Sequence, residues 1–404
     1  MISDISNEYV PFETKEEETV IPASPIAPMG VIAADSAKDL AEKVNYYIAA
    51  WRNEDKKYNT HHVDMPGHTR DTYLIQASCP RFQNGEGKSI IEESVRGYDL
   101  FILSDIGNYG CKYELYGADT RMSPDDHFQD LKRIISTACG KARRVNVIMP
   151  LLYGSRQHKR VARESLDCAL GLQELNNLGV ENIVVFDAHD PSVQNAIPLT
   201  GFENVLPTYQ MIKALLRDDD SLQIDKDHMM VISPDNGAMT RAIYYANVLG
   251  LNVGMFYKRR DLTRLVNGRN PIVAHEYLGD SVEGKDLIII DDMLATGDSM
   301  LDVARELKRR KANKIYIAVT YGLFSLGVER FHKAYEEGIF TKILSTNLTY
   351  RPPELQAASW YVEVNMAKYI AYIIEALNHD QSISKLLNPM QKINDLLEQY
   401  RNKR

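Results

Sequence analysis

Lys285–Leu301 reads KDLIIIDDMLATGDSML, and this stretch decides the fold. Leu287–Ile290 is a continuous apolar run, the pattern of a strand buried on both faces. Asp291 and Asp292 end it, Ala295–Ser299 follows as a short loop, and Met300–Leu307 has helical spacing. A strand, a tight loop and a helix start together make an anion site, because backbone N–H groups point outward with the positive end of the helix dipole behind them. Thr296 and Ser299 add hydroxyl donors, and Gly297 lets the backbone approach a phosphate closely. The two acids stand where they can accept hydrogen bonds from a pair of sugar hydroxyls. The plainer account is a buried strand ending in solvated acids. It suffices for a lone Asp-Asp but not for the whole arrangement.

At 404 residues, 44% hydrophobic and 25% charged, the chain has the size and composition of a globular protein of two domains. A net charge of -8 argues against general nucleic-acid affinity. Cys79, Cys111, Cys139 and Cys168 are far apart and form no CxxC, which fits reduced thiols in a cytoplasmic protein. No apolar segment approaches the ~20 residues of a membrane span, and the N-terminus has no basic-then-apolar signal pattern.

Residues 1–29 are acidic and punctuated by proline and read as an irregular arm. Residues 30–199 and 200–378 follow one α/β plan twice, and 379–404 form a helical tail. Helix Ser165–Leu178 with strand Ile183–Asp187 echoes helix Ser299–Arg310 with strand Ile315–Val319. Arg52–Pro66 and Ile106–Arg121 look like insertions. His61 and His62 in the first suit a surface loop, since no partner ligands stand at useful spacing. Asn84-Gly85 marks a hairpin from which Phe82, Asn84 and Glu86 can project together. An aromatic face beside polar groups suits a purine base, although an ordinary hairpin with one packed Phe reads the same way. Arg156, Lys159, Arg160 and Arg163 follow a strand end, where open α/β sheets bind ligands, so this run is either a polyphosphate contact or a solvated face. Asp187-Ala188-His189-Asp190 ends another strand, and a histidine there can ligate a metal or position its water. Pro198–Glu203 reads as the inter-domain crossing, Asp261–Asn270 as a mobile flap, and Val362–Asn378 and Asn388–Arg401 as helices.

The Lys285–Leu301 stretch resembles the phosphoribosyl-pyrophosphate loop of the type I phosphoribosyltransferase fold. RFQNGE, SVRGYDLFI, RQHKRVARES, DAHD, SPDNG, YKRRD and DDMLATG then occur in the order found in ribose-phosphate diphosphokinases, the phosphoribosyl pyrophosphate synthetases. This resemblance covers roughly residues 30–387. It implies two phosphoribosyltransferase-like domains, each a mostly parallel sheet flanked by helices. It also implies Mg2+-dependent transfer of the β,γ-diphosphate of ATP to C1 of ribose 5-phosphate, with AMP as the other product. The implied assembly is a homo-oligomer of dimers, reaching a hexamer.

By matching position, Phe82, Asn84 and Glu86 look like adenine contacts, supplied in the family by a neighbouring subunit. Arg156 and Gln157 look like ATP-phosphate contacts. His189 and Asp235 look like the Mg2+ site, and Lys258 and Arg260 like catalytic flap cations. Asp291, Asp292, Thr296, Gly297, Asp298 and Ser299 look like the ribose-phosphate site. Arg96, Ser382 and Ser384 match positions of a regulatory site. The departures are His158 for the usual Asp, Ala295 for Asp, Asp298 for Gly, Ser299 for Thr, Tyr321 for His and Leu387 for an aromatic. A working loop requires the Asp298 carboxylate to point away from the phosphate, as it does if it caps the following helix. A phosphoribosyltransferase and a catalytically weak regulatory homologue remain as alternatives. The first needs no adenine hairpin or second domain, and retention of Lys258, Arg260, His189 and Asp235 argues against the second.

Overall fold

Two runs of buried apolar strands set the architecture. The computed structural model describes residues 24–58, 65–260 and 272–402. The first sheet contains β1 (Met29–Ala33), β2 (Leu74–Ile75), β3 (Asp99–Leu103), β4 (Arg144–Ile148), β5 (Asn182–Phe186) and β6 (Gly201–Val205). Its strands are all parallel, in the order β6-β5-β4-β3-β1-β2. The second contains β7 (Met229–Ser233), β8 (Asn252–Arg260), β9 (Ile272–Leu278), β10 (Asp286–Leu294), β11 (Ile315–Gly322), β12 (Lys342–Thr346) and β13 (Tyr361–Val364). Its order is β9-β8-β7-β10-β11-β12-β13, parallel except for the antiparallel β8–β9 pair. Helices cover both faces of such sheets, which is why β3, β4, β7 and β11 are buried at every position.

Each sheet starts at an inner strand, builds to one side, then returns to build on the other. The second sheet therefore has its switch point between β7 and β10, and the first between β1 and β3. Ligands bind outside the carboxyl ends of strands at such points. By this register helix Pro124–Ala138, which follows β3, is the counterpart of helix Asp298–Arg309, which follows β10. The internal echo read from sequence is thus one strand-helix unit out of step. At the first sheet's switch point Asp105 is buried and faces inward. Its carboxylate accepts from Gly107 N at 2.9 Å, Thr349 Oγ1 at 3.1 Å and Tyr350 N at 2.9 Å. Loop residues of the second half thus fill the place where the second sheet has its acid pair.

Two sequence boundaries are corrected. Gly201–Val205, which overlaps the stretch read as the crossing, is an edge strand of the first sheet, paired in register with Asn182–Phe186. The helix expected over Val362–Asn378 begins only at Ala367, because Tyr361–Val364 is the outer strand β13. Ile106–Arg121 contains a hairpin, Lys112–Leu115 with Ala118–Arg121. The histidines at 61 and 62, the expected flap at 261–270 and most of the 1–29 arm lie outside the described residues.

Beneath the sheets, at the opposite end from the switch points, a buried polar network ties the halves together. Arg144 grips Asp99 with two hydrogen bonds of 2.8 Å, and Asn146 and Asn378 donate to the same carboxylate at 2.8 and 2.9 Å. Arg52 grips Glu375 at 2.7 and 2.9 Å and reaches Asn378 Oδ1 at 2.8 Å. Asp99 is fully buried, and its removal leaves the buried Arg144 guanidinium with only the exposed Asp380 carboxylate and the Leu377 carbonyl. Asp99→Ala should therefore cost about 3–5 kcal/mol in urea unfolding. A loss below about 1 kcal/mol would show that Arg144 finds another partner or water.

Candidate active site at the facing strand ends

The carboxyl ends of the two sheets are bonded to each other. Tyr321, on β11, is fully buried with its hydroxyl 2.6 Å from the carbonyl oxygens of both Pro150 and Phe186, which follow β4 and end β5. Burial holds that hydroxyl protonated far beyond the ordinary tyrosine range. Asp187, the residue after β5, has φ 45° and accepts from Arg241 Nε at 2.7 Å and Thr320 Oγ1 at 2.5 Å, both from the second half. Asp187, Arg241, Thr320 and Tyr321 thus form a seam under the site.

Asp291 and Asp292 stand above this seam within β10, which does not end at the acids as the sequence suggests but stays paired with β11 through Leu294. Asp292 is 3% exposed and accepts from His189 Nδ1 at 2.6 Å. Burial opposes its ionisation, but the His189 hydrogen bond and the nearby Arg241 charge outweigh burial and hold it below the usual carboxylate range. Asp291 goes the other way: burial and the neighbouring charges of Asp292 and Asp235 push its carboxyl well up. His189 is raised by its bond to Asp292, against the effect of burial. Because Nδ1–H is committed to Asp292, the Nε2 lone pair of neutral His189 is left available. Such a fixed tautomer is how metal-ligating imidazoles are held.

Asp235, two residues past β7, accepts at Oδ1 from Gly237 N at 2.9 Å and Ala238 N at 3.3 Å. It lies across the switch point from Asp291 and close enough to raise it. Among the described residues no three His, Cys, Asp or Glu side chains converge as a ready metal cage. The donor set still fits a hard divalent cation. Asp291, Asp292, Asp235 and the His189 imidazole offer oxygen and nitrogen donors, and Mg2+ usually completes its shell with water and phosphate oxygens.

The loop expected over Ala295–Ser299 is shorter, because β10 ends at Leu294 and the helix begins at Asp298. Gly297 is the N-cap of helix Asp298–Arg309 with φ 85°, in the left-handed region, and a Cβ there would lie 2.2 Å from the Phe331 ring. Thr296 and Ser299 are exposed at the helix start. Asp298 does point outward, but not as a cap. It is the first residue of the helix, and its carboxylate pairs with Arg330.

From the first half, Arg156 Nε lies 3.0 Å from Met293 Sδ on β10, beside the acid pair. Gln157 donates to Ser165 O at 2.9 Å and closes its own loop. His158, where the family resemblance leads one to expect Asp, stacks obliquely on His189 with ring centroids 5.2 Å apart. Met255 pairs with Ser233, the last residue of β7, so the β8 backbone at Tyr257–Arg260 runs on past the sheet edge beside β9. That puts the backbone of Lys258 and Arg260 on the Asp235 side of the switch point.

Phe82, Asn84 and Glu86 are exposed on a turn closed by Phe82 N to Glu86 O at 2.7 Å and by the Arg81–Gly87 bridge. Asn84 Nδ2 donates to Glu86 Oε2 at 3.0 Å. Among the described residues none of the three touches the acid pair. The Lys112–Arg121 hairpin supports this turn: Arg81 lies over Tyr113, 5.3 Å from its centroid, and Leu115 packs at Gly85. Ser382 and Ser384 share a hydroxyl hydrogen bond of 2.8 Å. Arg96 is exposed in the turn before β3 and does not touch them. Asp380, two residues before Ser382, accepts from Arg144 at the start of β4 at 2.9 Å.

Residues 29–179 match the N-terminal domain of ribose phosphate pyrophosphokinase, and residues 204–348 match the phosphoribosyl transferase domain. A ribose-phosphate pyrophosphokinase of Corynebacterium glutamicum is 30% identical over 256 residues, covering 63% of this chain and 72% of that one. This chain belongs to the ribose-phosphate pyrophosphokinase family. The member from Vibrio parahaemolyticus is 27% identical over 319 residues, covering 78% of this chain and 92% of its own. The phosphoribosylpyrophosphate synthetase of Mycobacterium smegmatis has the same fold, with a TM-score of 0.68 at 21% identity over 87% of this chain and 99% of that one. The pyrophosphokinase family is one of transferases, and the two-domain α/β architecture agrees with it.

Sequence reasoning missed Asp187, Arg241 and Thr320 as parts of the site. Asp187 and Arg241 lie inside or one helical turn beyond motifs that were legible, DAHD and SPDNG, whereas Thr320 carries no local signal.

Proposed function

We propose that the chain is a ribose-phosphate diphosphokinase, moving the β,γ-diphosphate of ATP to C1 of ribose 5-phosphate and releasing AMP. One observation carries this reading: His189 of the first half is hydrogen-bonded to Asp292 of the ribose-phosphate loop. A phosphoribosyltransferase would use the loop without a second domain delivering an imidazole and an arginine to it.

In this reading Asp291 and Asp292 accept the ribose 2- and 3-hydroxyls, and Thr296, Gly297 and Ser299 hold the 5-phosphate at the helix start. Arg156 and Gln157 meet the triphosphate, and Phe82, Asn84 and Glu86 meet adenine bound by a neighbouring copy in a homo-oligomer. His189 and Asp235 would hold Mg2+, which, when bound, neutralises charge on the phosphate oxygens. Lys258 and Arg260 meet the charge that develops as the anomeric hydroxyl attacks the β-phosphorus in line. Arg96, Ser382 and Ser384 belong to a regulatory phosphate or nucleotide site at the far end of the first sheet. Among the described residues no helix is long and apolar enough to cross a membrane. A cytoplasmic enzyme of nucleotide biosynthesis is the consistent setting.

Incubation with ATP, Mg2+ and ribose 5-phosphate should yield AMP and phosphoribosyl pyrophosphate in equal amounts. Absence of either product across varied phosphate and metal concentrations would end the synthetase reading.

A further inference from the structure

The loop after β10 carries a charge that its proposed ligand would repel. Asp298 stands at the first position of helix Asp298–Arg309, directly after the Gly297 N-cap. Its carboxylate is instead paired with Arg330 Nη1, which also donates to Thr296 O at 3.2 Å. Arg330 belongs to helix Glu329–Glu336, and the next residue, Phe331, lies against Gly297 so closely that no side chain would fit there. This helix therefore holds the loop twice. Phe331 fixes its backbone, and Arg330 fixes its acid.

We propose that Arg330 is a positioning residue of the ribose-phosphate loop. Its guanidinium holds the Asp298 carboxylate away from the phosphate cradle and cancels its charge, so that the loop presents only backbone N–H groups and the Thr296 and Ser299 hydroxyls. The inference rests on the proposed function, since it takes the 5-phosphate as the ligand. One guanidinium nitrogen, Nη1, meets both the Asp298 carboxylate and the Thr296 carbonyl. The pair is largely exposed, with side-chain exposures of 32% for Arg330 and 67% for Asp298. An exposed pair contributes little to folding, so its loss is read in ligand binding and not in stability.

The test is calorimetric titration of the full-length protein, in the presence of Mg2+ and a non-hydrolysable ATP analogue, with ribose 5-phosphate and separately with ribose. Arg330→Ala should weaken ribose 5-phosphate binding about five-fold or more, because an unpaired carboxylate can turn toward the phosphate. Its thermal midpoint should not move. Asp298→Gly alone should change affinity little, and Asp298→Gly combined with Arg330→Ala should return to the affinity of Asp298→Gly. Arg330→Lys should keep most of the wild-type affinity. Unchanged binding in Arg330→Ala overturns the proposal. A double variant as weak as Arg330→Ala also overturns it, since Arg330 would then act on the phosphate directly. Wild-type protein that binds no ribose 5-phosphate, or binds ribose equally well, removes the functional reading and this inference with it.

Discussion

Alanine at Lys258 or Arg260 should lower kcat by ~100-fold or more while leaving ATP binding largely intact. The β8 strand carries the backbone of both residues beyond the last residue of β7, beside the switch point that holds Asp235 and Asp291. Cations there would meet the charge that builds on the transferred diphosphate, and charge stabilisation used only in the transition state appears in kcat. The two are not interchangeable. Arginine can grip two oxygens at once, whereas lysine is a movable point charge, so Arg260→Lys should recover only part of the loss. Steady-state rates with a separate ATP dissociation constant decide the matter. An unchanged kcat in both alanine variants would move the catalytic cations elsewhere.

The second large effect is expected at Asp292. Asparagine there keeps the shape but changes what His189 meets. The carboxylate now accepts from Nδ1 at 2.6 Å. An amide can offer its NH2 to that nitrogen, in which case Nδ1 must become the acceptor and the proton moves to Nε2. The imidazole then turns an N–H, not a lone pair, toward the cation position. Loss of such a partner typically costs about 10–100-fold in metal affinity. Asp292→Asn also leaves a neutral amide oxygen where a carboxylate oxygen accepted the ribose hydroxyls, and charge-assisted bonds are about twice as strong, so kcat/KM for ribose 5-phosphate should fall by a further ~10-fold. Manganese titration followed by electron paramagnetic resonance measures the first effect without catalysis, and substrate kinetics the second. Wild-type Mn2+ affinity in Asp292→Asn would detach His189 from the metal.

Much of this site was legible because its parts are local. Leu287–Ile290 is apolar without interruption, and a strand of that kind at the centre of a parallel sheet is buried on both sides. Gly297 was legible as a place of close backbone approach, whereas its left-handed φ of 85° comes from the structure alone. What stayed hidden is long-range or half-exposed. Gly201–Val205 is a sheet edge with four partly exposed residues, so its composition does not separate it from a linker. Tyr361–Val364 alternates between partly and fully buried and runs into a helix, and the apolar positions of the two merge in sequence. The Asp187–Thr320 bond joins residues 133 apart in the chain. The Tyr321–Pro150 contact spans 171. No periodicity encodes either. Asp298 shows both sides: its outward direction followed from the repulsion argument, but its partner, 32 residues on, did not.

The polar network and the seam have a counterpart in the packing, with a consequence for how such a chain can change. One apolar cluster includes Val31, Val44 and Phe186 of the first half together with Ile288, Tyr321 and Ile374 of the second. Trp51 of helix Lys38–Tyr58 stacks on Tyr372 of helix Ala367–Asn378 with centroids 4.4 Å apart. Each half also has an apolar cluster of its own, but the side on which the two meet is one shared interior. An evolutionary exchange of one half for that of a distant relative would carry the substrate loop across intact, yet leave two mismatched surfaces of buried side chains. The halves must therefore drift together, each substitution on the Lys38–Tyr58 face being screened against the Ala367–Asn378 face, while the loops at the strand ends remain free to diverge.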